Sequence, residues 1–319
     1  MFNKEVLSFD IGTYSTKVVL GKGMKNKVMI KEAFTFPTPV GTVEDGQIIN
    51  SLPLKEEILK NLDERGIYVN KAVFTLASTK AITRELILPF ANEKKLEAMV
   101  PYELSKQLPI TVDNYVIKYL LLDVFVEDKT KKAHVLVIAL PKYIVKQYWD
   151  LCTELEIEPT FLTLHGVSAI GLFPPQKSVI TGQPETIALI DLGHSSINCN
   201  IISKGNFVFN RIISTVGMKV SLDKLTNYDK GAKEVINKWL EEIKMILRFY
   251  YSLDSNKDVD KIILLGGSAN INNITSIFEE KLERPTTILE DNEGVIYKGN
   301  NEDFSLNQYF NAVSALTLN

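Results

Sequence analysis

The stretch KEVLSFDIGTYSTKVVLGK, residues 4–22, decides how the rest of the chain is interpreted. An apolar run ends in Asp10, a Gly-Thr-Tyr-Ser turn follows, and a second apolar run starts at Lys17. This pattern predicts two strands joined by a tight turn. The backbone N–H groups of such a turn can surround a phosphate oxygen, with Lys17 adding a point charge. Taken alone, the stretch is more typical of an ordinary hairpin.

A second copy of the pattern lies 181 residues further along the chain. Placing Asp10 on Asp191 (191 − 10 = 181) aligns the glycines and serines of DIGTYSTK and DLGHSSIN without a gap. Apolar runs that predict a second and a third strand follow each turn. Such self-similarity predicts two related halves rather than one long sheet.

A third motif, LLGGSAN at residues 264–270, predicts a strand that runs into a glycine pair and then a helix beginning near Ser268. A junction of this kind leaves room for a ligand to approach the backbone. By itself it is equally explained by tight packing. The two aspartates beside bound phosphates would also need a cation, and Mg²⁺ is suited to few carboxylates plus phosphates.

Composition restricts the possible functions. With 319 residues, 45% hydrophobic and 24% charged, the chain is expected to form two globular domains or one large one. A net charge of −3 without long runs of one sign gives no reason to expect nucleic acid or an anionic membrane as a partner. Two cysteines, no signal-peptide pattern and no apolar run of spanning length predict a cytoplasmic protein without direct membrane insertion.

The pattern of strands and helices predicts the domain organisation. Residues 1–184 form the first half, which contains an inserted α+β subdomain at about 83–164, and residues 185–319 form the second half. The insertion is expected to hold a helix interrupted near Pro101. The last segment, FSLNQYFNAVSALTLN, is expected to be a helix that packs back toward the first half.

The three motifs, in this order, resemble those of the actin-like ATPase superfamily, which includes actin, sugar kinases and Hsp70. Within it the chain is most similar to the PilM family of type IV pilus assembly, whose relative is the division protein FtsA. The loop GTVEDGQIIN at residues 41–50 and the segment LILPFANEKKLEAMVPYELSKQLPITVDNYVIKYLLL at residues 86–122 also resemble the PilM family. The resemblance therefore runs over nearly the whole chain.

This resemblance implies an α/β fold with two RNase H-like halves, an FtsA/PilM-type insertion, and ATP in the cleft between the halves. The fourth subdomain of the family is expected to be reduced, because only GMKVSLDKLTNYDKGA, residues 217–232, precedes the long helix. The residues implied are Gly12, Thr13, Ser15, Lys17, Gly193, Ser195 and Ser196 for the phosphates, Gly266, Gly267, Ser268 and Asn270 for the nucleoside, and Asp10 and Asp191 for Mg²⁺ held through water.

The implied function is a cytoplasmic nucleotide-binding adaptor that docks the cytoplasmic amino-terminal tail of PilN near residues 83–107. The adaptor would then lie at the inner face of the cell membrane through its partner. Other inner-membrane pilus components, the assembly ATPase and a second copy of the chain are further candidate partners. Slow or no hydrolysis is expected, because the connecting segment TLHGVSAIGLF offers no carboxylate or glutamine to orient a water molecule. His165, its only titratable side chain, is expected to be a packing or capping residue.

Three alternatives remain open from the sequence. An FtsA-like filament protein predicts a basic amphipathic helix near FNAVSALTLN, which contains no Lys or Arg. A small-molecule kinase predicts a catalytic carboxylate, and no convincing candidate is found. A scaffold that has lost its nucleotide is the third. His134 and His194 lack companions at metal-ligand spacing, and Trp149 and Trp239 are expected in the core.

Overall fold

The computed structural model describes residues 5–24, 27–90, 92–175, 185–215, 230–300 and 304–318. The predicted boundary between the halves at 184 lies outside these ranges, and so does most of the segment 217–232 that was expected to replace the fourth subdomain.

The strands, numbered in chain order, are β1 (Val6–Ile11), β2 (Ser15–Met24), β3 (Lys27–Pro37), β4 (Val43–Glu44), β5 (Gln47–Ile48), β6 (Lys71–Leu76), β7 (Ile82–Pro89), β8 (Tyr115–Glu127), β9 (Thr130–Pro141), β10 (Glu158–Leu164), β11 (Thr186–Leu192), β12 (Ser196–Ser203), β13 (Asn206–Ser214), β14 (Lys261–Leu265), β15 (Thr286–Ile288) and β16 (Val295–Tyr297). The helices are α1 (Ser51–Glu64), α2 (Glu93–Gln107), α3 (Lys142–Glu154), α4 (His165–Ala169), α5 (Lys230–Ser252), α6 (Ile274–Leu282) and α7 (Leu306–Ala315).

Two sheets share one strand order. The first sheet runs β3-β2-β1-β6-β10 and the second β13-β12-β11-β14-β15. In each, the first three strands form an antiparallel meander and the next two join in parallel. The two related halves predicted from the sequence repeat are therefore confirmed.

A third sheet, of order β7-β9-β8, carries α2 on one face. The helix runs without a break from Glu93 to Gln107 with Pro101 inside it, so the predicted interruption is wrong. Leu96, Val100 and Leu104 are buried on that face, and this packing outweighs the backbone hydrogen bond that a proline removes. The sheet spans residues 82–141, whereas α3 and β10 pack with the first sheet, so the separate sheet ends earlier than 164.

Helix α7 lies between the two large sheets. Phe310, 1% exposed, shares one apolar cluster with Val19 of β2 and Leu189 of β11. Ser8 Oγ on β1 donates a hydrogen bond to the Ala312 carbonyl oxygen at 2.6 Å. Strand β16 also pairs with β3, so two elements from the carboxy-terminal part of the chain complete the first half.

One of the two tryptophans is misplaced by the sequence pattern. Trp239 is 2% exposed, as expected, but Trp149 is 61% exposed, so its assignment to the core is wrong. The core face of α3 is formed by Ile144, Tyr148 and Leu151. Because successive residues of a helix point about 100° apart, Trp149 projects beside that face. In the part of the chain that the structure describes, no helix has both the length and the apolar composition needed to cross a membrane.

Replacing Phe310 by Ala is expected to lower the free energy of unfolding by about 3–5 kcal/mol, since a fully buried ring is lost and a cavity is left. Leu318, 44% exposed, supplies the control, and Leu318→Ala is expected to change stability by about 0.5 kcal/mol or less. Urea unfolding followed by circular dichroism measures both values. Equal small losses would contradict the burial of α7 between the sheets.

Candidate functional site

The two Asp-x-Gly turns have the same backbone geometry. The Gly12 N–H donates to the Ser15 carbonyl oxygen at 3.2 Å, and the Gly193 N–H donates to the Ser196 carbonyl oxygen at 3.0 Å. A Cβ atom at either glycine would lie 2.9 Å from that oxygen. Glycine is therefore needed at both positions for the turn to close, and the sequence repeat is preserved down to single hydrogen bonds.

The tips of the two turns touch across a cleft. The rings of Tyr14 and His194 stack with centroids 4.4 Å apart. The Ser195 hydroxyl donates to Thr13 Oγ1 at 3.2 Å. The residues predicted to hold phosphate from opposite halves therefore face each other.

The third motif closes the same cleft because of Gly266. This residue has a φ of 85° and a ψ of 169°, a conformation that is essentially restricted to glycine. A Cβ atom there would lie only 2.4 Å from Asp191 Oδ1 and 2.8 Å from the Leu192 carbonyl oxygen. At Gly267, by contrast, a Cβ atom would meet nothing within 4 Å. The first glycine of the pair is needed for close packing and the second leaves open space.

All of the residues predicted for phosphate, nucleoside and cation line one cavity of about 610 Å³ between the halves. Small-molecule sites in proteins commonly have volumes of this order. Sequence reasoning missed other lining residues, which are Thr35, Glu44, Asp45, Gly46, Ala77, Thr79, His165, Asn198, Ser214, Ile271 and Gln308.

One rim of the cavity is the hairpin β4–β5. Its two-residue turn, Asp45-Gly46, has positive φ at both positions (47° and 72°), as in the Asp-Gly turns typical of hairpins. The Asp45 carboxylate accepts hydrogen bonds from the Thr79 backbone N–H at 2.8 Å and from the Thr79 hydroxyl at 2.6 Å. This part of the GTVEDGQIIN loop is thereby fixed against the end of the first sheet.

The floor of the cavity holds Asp10 and Asp191 together through two other side chains. Asn311 Nδ2, on α7, lies 2.8 Å from Asp191 Oδ2 and 3.4 Å from Asp10 Oδ2. His165, at the start of α4, places Nε2 at 3.2 Å from Asp10 Oδ1 and Nδ1 at 3.7 Å from Asp191 Oδ2. A carboxylate only accepts hydrogen bonds, so the imidazole and the amide are the donors.

This arrangement keeps Asp10 ionised. Burial by itself raises the pKa of its carboxyl group, but the neighbouring His165 and Lys17 and the hydrogen bonds from His165 and Asn311 outweigh it. They lower the pKa of Asp10 to about 2, so the carboxylate form is the one present at neutral pH.

His165 therefore does more than the packing or capping expected of it. It is buried, at 8% exposure, and it also contacts Asp10. Its other ring nitrogen faces the Asn198 amide at 3.4 Å. The alignment of the halves could have pointed to Asn198, because it lies 181 residues after Lys17 and pairs with Asp191 as Lys17 pairs with Asp10. Asn311 lies in an otherwise apolar helix, where no pattern distinguishes it.

The described residues contain no cluster of three or more His, Cys, Asp or Glu side chains able to hold a metal ion. His194 stacks on Tyr14, and His134 Nε2 hydrogen-bonds Glu85 at 2.8 Å outside the cleft. The two aspartates at the cleft floor thus form the acidic pair to which the sequence assigned Mg²⁺.

The paired sheets and the cleft between them define a protein with the actin-like ATPase fold. The chain belongs to the PilM family, because the family model described as type IV pilus assembly protein PilM matches residues 8–238 and 233–315.

Two solved structures illustrate the likeness. One, described as a PilM-PilN type IV pilus biogenesis complex, has a TM-score of 0.81 with 18% sequence identity over 99% of this chain and 98% of that chain. The other, the ethanolamine utilization protein EutJ from Carboxydothermus hydrogenoformans, has a TM-score of 0.51 with 11% identity over 100% of this chain and 90% of that chain. At these identities the likeness shows the shared fold.

Gly266→Ala is expected to destabilise the protein by at least about 1–3 kcal/mol, the cost of a residue with a side chain in so unfavourable a backbone conformation. The contact with Asp191 adds to that cost. Gly267→Ala is the matched control, with an expected change within about 0.5 kcal/mol. Urea unfolding of both variants measures the difference, and similar values for the two would show that Gly266 is not constrained as the structure indicates.

Proposed function

We propose that this chain is a nucleotide-binding adaptor of the type IV pilus assembly machinery and that it binds ATP in the cleft between its halves. The observation that carries the proposal is the meeting of all three sequence motifs around one cavity of about 610 Å³. Membership of the PilM family supports the assignment to pilus assembly.

Each part of the cavity has a distinct role in the proposed site. The two glycine turns and Lys17 surround the phosphates, for which closely packed backbone and a lysine charge are suited. The open space at Gly267 and the polar side chains of Asn270 and Gln308 lie along the nucleoside. Hydrated Mg²⁺ between Asp10 and Asp191 stays a prediction.

We expect slow or no hydrolysis at this site. Rapid hydrolysis needs a side chain that orients the attacking water. The His165 ring is already bonded to Asp10 and held by Asn198, and both aspartates are engaged with Asn311. A binding and signalling role therefore fits these contacts better than rapid turnover.

Calorimetric titration with ATP and Mg²⁺ tests the nucleotide site. Lys17→Ala is expected to weaken ATP binding by about tenfold or more, because a hydrogen bond to a charged group typically contributes about 1.5–3 kcal/mol. Lys22→Ala, five residues further along β2, is the matched control and is expected to bind as the wild type does. A wild-type chain that binds no ATP would overturn the proposed site, and equal losses in both variants would remove Lys17 from it.

The second part of the proposal concerns the partner. We infer that an extended cytoplasmic tail of the PilN type docks near residues 83–107, which would hold the adaptor at the inner face of the membrane. Strand β7 lies at one edge of its sheet, and such an edge can pair with an extended segment. In the same region Ile87 is 58% and Tyr102 is 62% exposed, which offers apolar contact area for the tail.

Tyr102→Ala is expected to weaken binding of a synthetic PilN-type tail by about fivefold or more, since truncation of an aromatic anchor commonly costs at least about 1 kcal/mol. Tyr68→Ala removes an equally large ring that is 83% exposed elsewhere on the surface, and serves as the control. Fluorescence anisotropy of the labelled peptide gives both affinities. A loss in the control equal to that in Tyr102→Ala would place the tail elsewhere.

A further inference from the structure

The two carboxylates at the cleft floor have all four of their oxygens in contact with the protein. Asp10 Oδ1 faces His165 Nε2, and Asp10 Oδ2 and Asp191 Oδ2 share Asn311 Nδ2. Asp191 Oδ1 lies against Gly266, so closely that a Cβ atom there would be 2.4 Å away. The oxygens to which the waters of a cation would bind are therefore covered by donors or by backbone.

Both donors are held in place by the surrounding fold. His165 and Asn311 are buried, at 8% and 7% exposure. Their helices are joined by a hydrogen bond of 2.9 Å between the hydroxyls of Ser168 and Ser314. Ser168 also donates to the His165 carbonyl oxygen at 2.9 Å, and Ser314 donates to that of Asn311 at 3.1 Å.

The far side of the His165 ring is fixed in the same way. Its neighbour Asn198 has its amide oxygen bonded to Asn210 Nδ2 at 2.7 Å, and the same nitrogen donates to Asn200 at 2.8 Å. Gly166 allows this approach, because a Cβ atom there would lie 2.6 Å from Asn200 Oδ1. The polar floor is thus a connected network with defined donors, and such networks hold a single geometry when their members are satisfied.

We propose that this cleft binds nucleotide without a divalent cation, because His165 and Asn311 bridge the two aspartates in the position predicted for hydrated Mg²⁺. The proposal rests on the nucleotide binding proposed above. A divalent ion in such a site compensates the carboxylates and keeps them together. Here the imidazole and the amide do both, which leaves Lys17 and the glycine turns to contact the phosphates.

Calorimetry of the full chain with ATP in excess Mg²⁺ and in EDTA tests the proposal. The dissociation constants are expected to agree within about threefold, a difference of less than about 1 kcal/mol. Binding that is about tenfold or more weaker in EDTA would overturn the cation-independent site while leaving the nucleotide function intact. Absence of binding in both conditions would overturn the nucleotide function itself.

Two variants separate the bridge from other causes. Asn311→Asp exchanges a donor for a third carboxylate and is expected to make ATP binding Mg²⁺-dependent by about tenfold or more. It should also give a rise in melting temperature with Mg²⁺ alone that the wild type lacks. His165→Ala removes the other donor and is expected to show the same dependence, which keeps the test open if one variant does not fold.

The control is His134→Ala, which removes a histidine–carboxylate contact outside the cleft. It is expected to bind ATP equally well in Mg²⁺ and in EDTA. If Asn311→Asp and His165→Ala bind as this control does, with no response to Mg²⁺, the bridge is not what replaces the cation and the proposal is wrong.

Discussion

The structure depends on bringing two carboxylates together at the junction of two sheets. Asp10 and Asp191 lie near the ends of equivalent central strands, and the repeat of the fold points them at the same place. Two like charges that are largely removed from water raise each other's energy unless hydrogen-bond donors or a cation compensate them. Here the compensation comes from α4 and α7, the segments that follow the first sheet and the second. Each half therefore completes the polar floor with a residue supplied from outside its own Asp-x-Gly turn.

This constraint divides the cleft into a fixed floor and an adjustable rim. Beneath the aspartates, α7 is buried in an apolar cluster shared by both sheets, so separation of the halves there would expose Phe310 and its neighbours to water. Above them, the contact between the turns consists of one hydroxyl pair and the stack of Tyr14 on His194, with Tyr14 48% exposed. Contacts of that kind are easily exchanged for water. A ligand can therefore enter by parting the rim while the floor stays assembled.

Sequence reasoning reached the elements that repeat and missed those that pack. The alignment of DIGTYSTK on DLGHSSIN predicted both meanders and the turn glycines, because tight turns restrict residue choice locally. It did not identify Asn311, since the role of that residue depends on how α7 is placed between the sheets. Likewise, the amphipathic pattern of α3 could not show that Trp149 lies just outside the core face. The proline in α2 misled the prediction because packing on the insertion sheet outweighs a local preference.

A last set of contacts connects the insertion to the second half. Glu85 of β7 accepts hydrogen bonds from His134 of β9 at 2.8 Å and from Lys257, which follows α5, at 3.0 Å. Burial raises the pKa of the Glu85 carboxyl, but these two partners lower it further, so its final value lies below the ordinary one. Strand β7 contains both this ion-paired residue and the exposed Ile87 of the proposed docking region. Because Lys257 precedes β14, which leads directly into Gly266, the strand proposed to meet the partner is connected by few steps to the wall of the cleft. A change in the position of either one is therefore felt at the other through charged contacts and short, buried strands rather than through flexible loops.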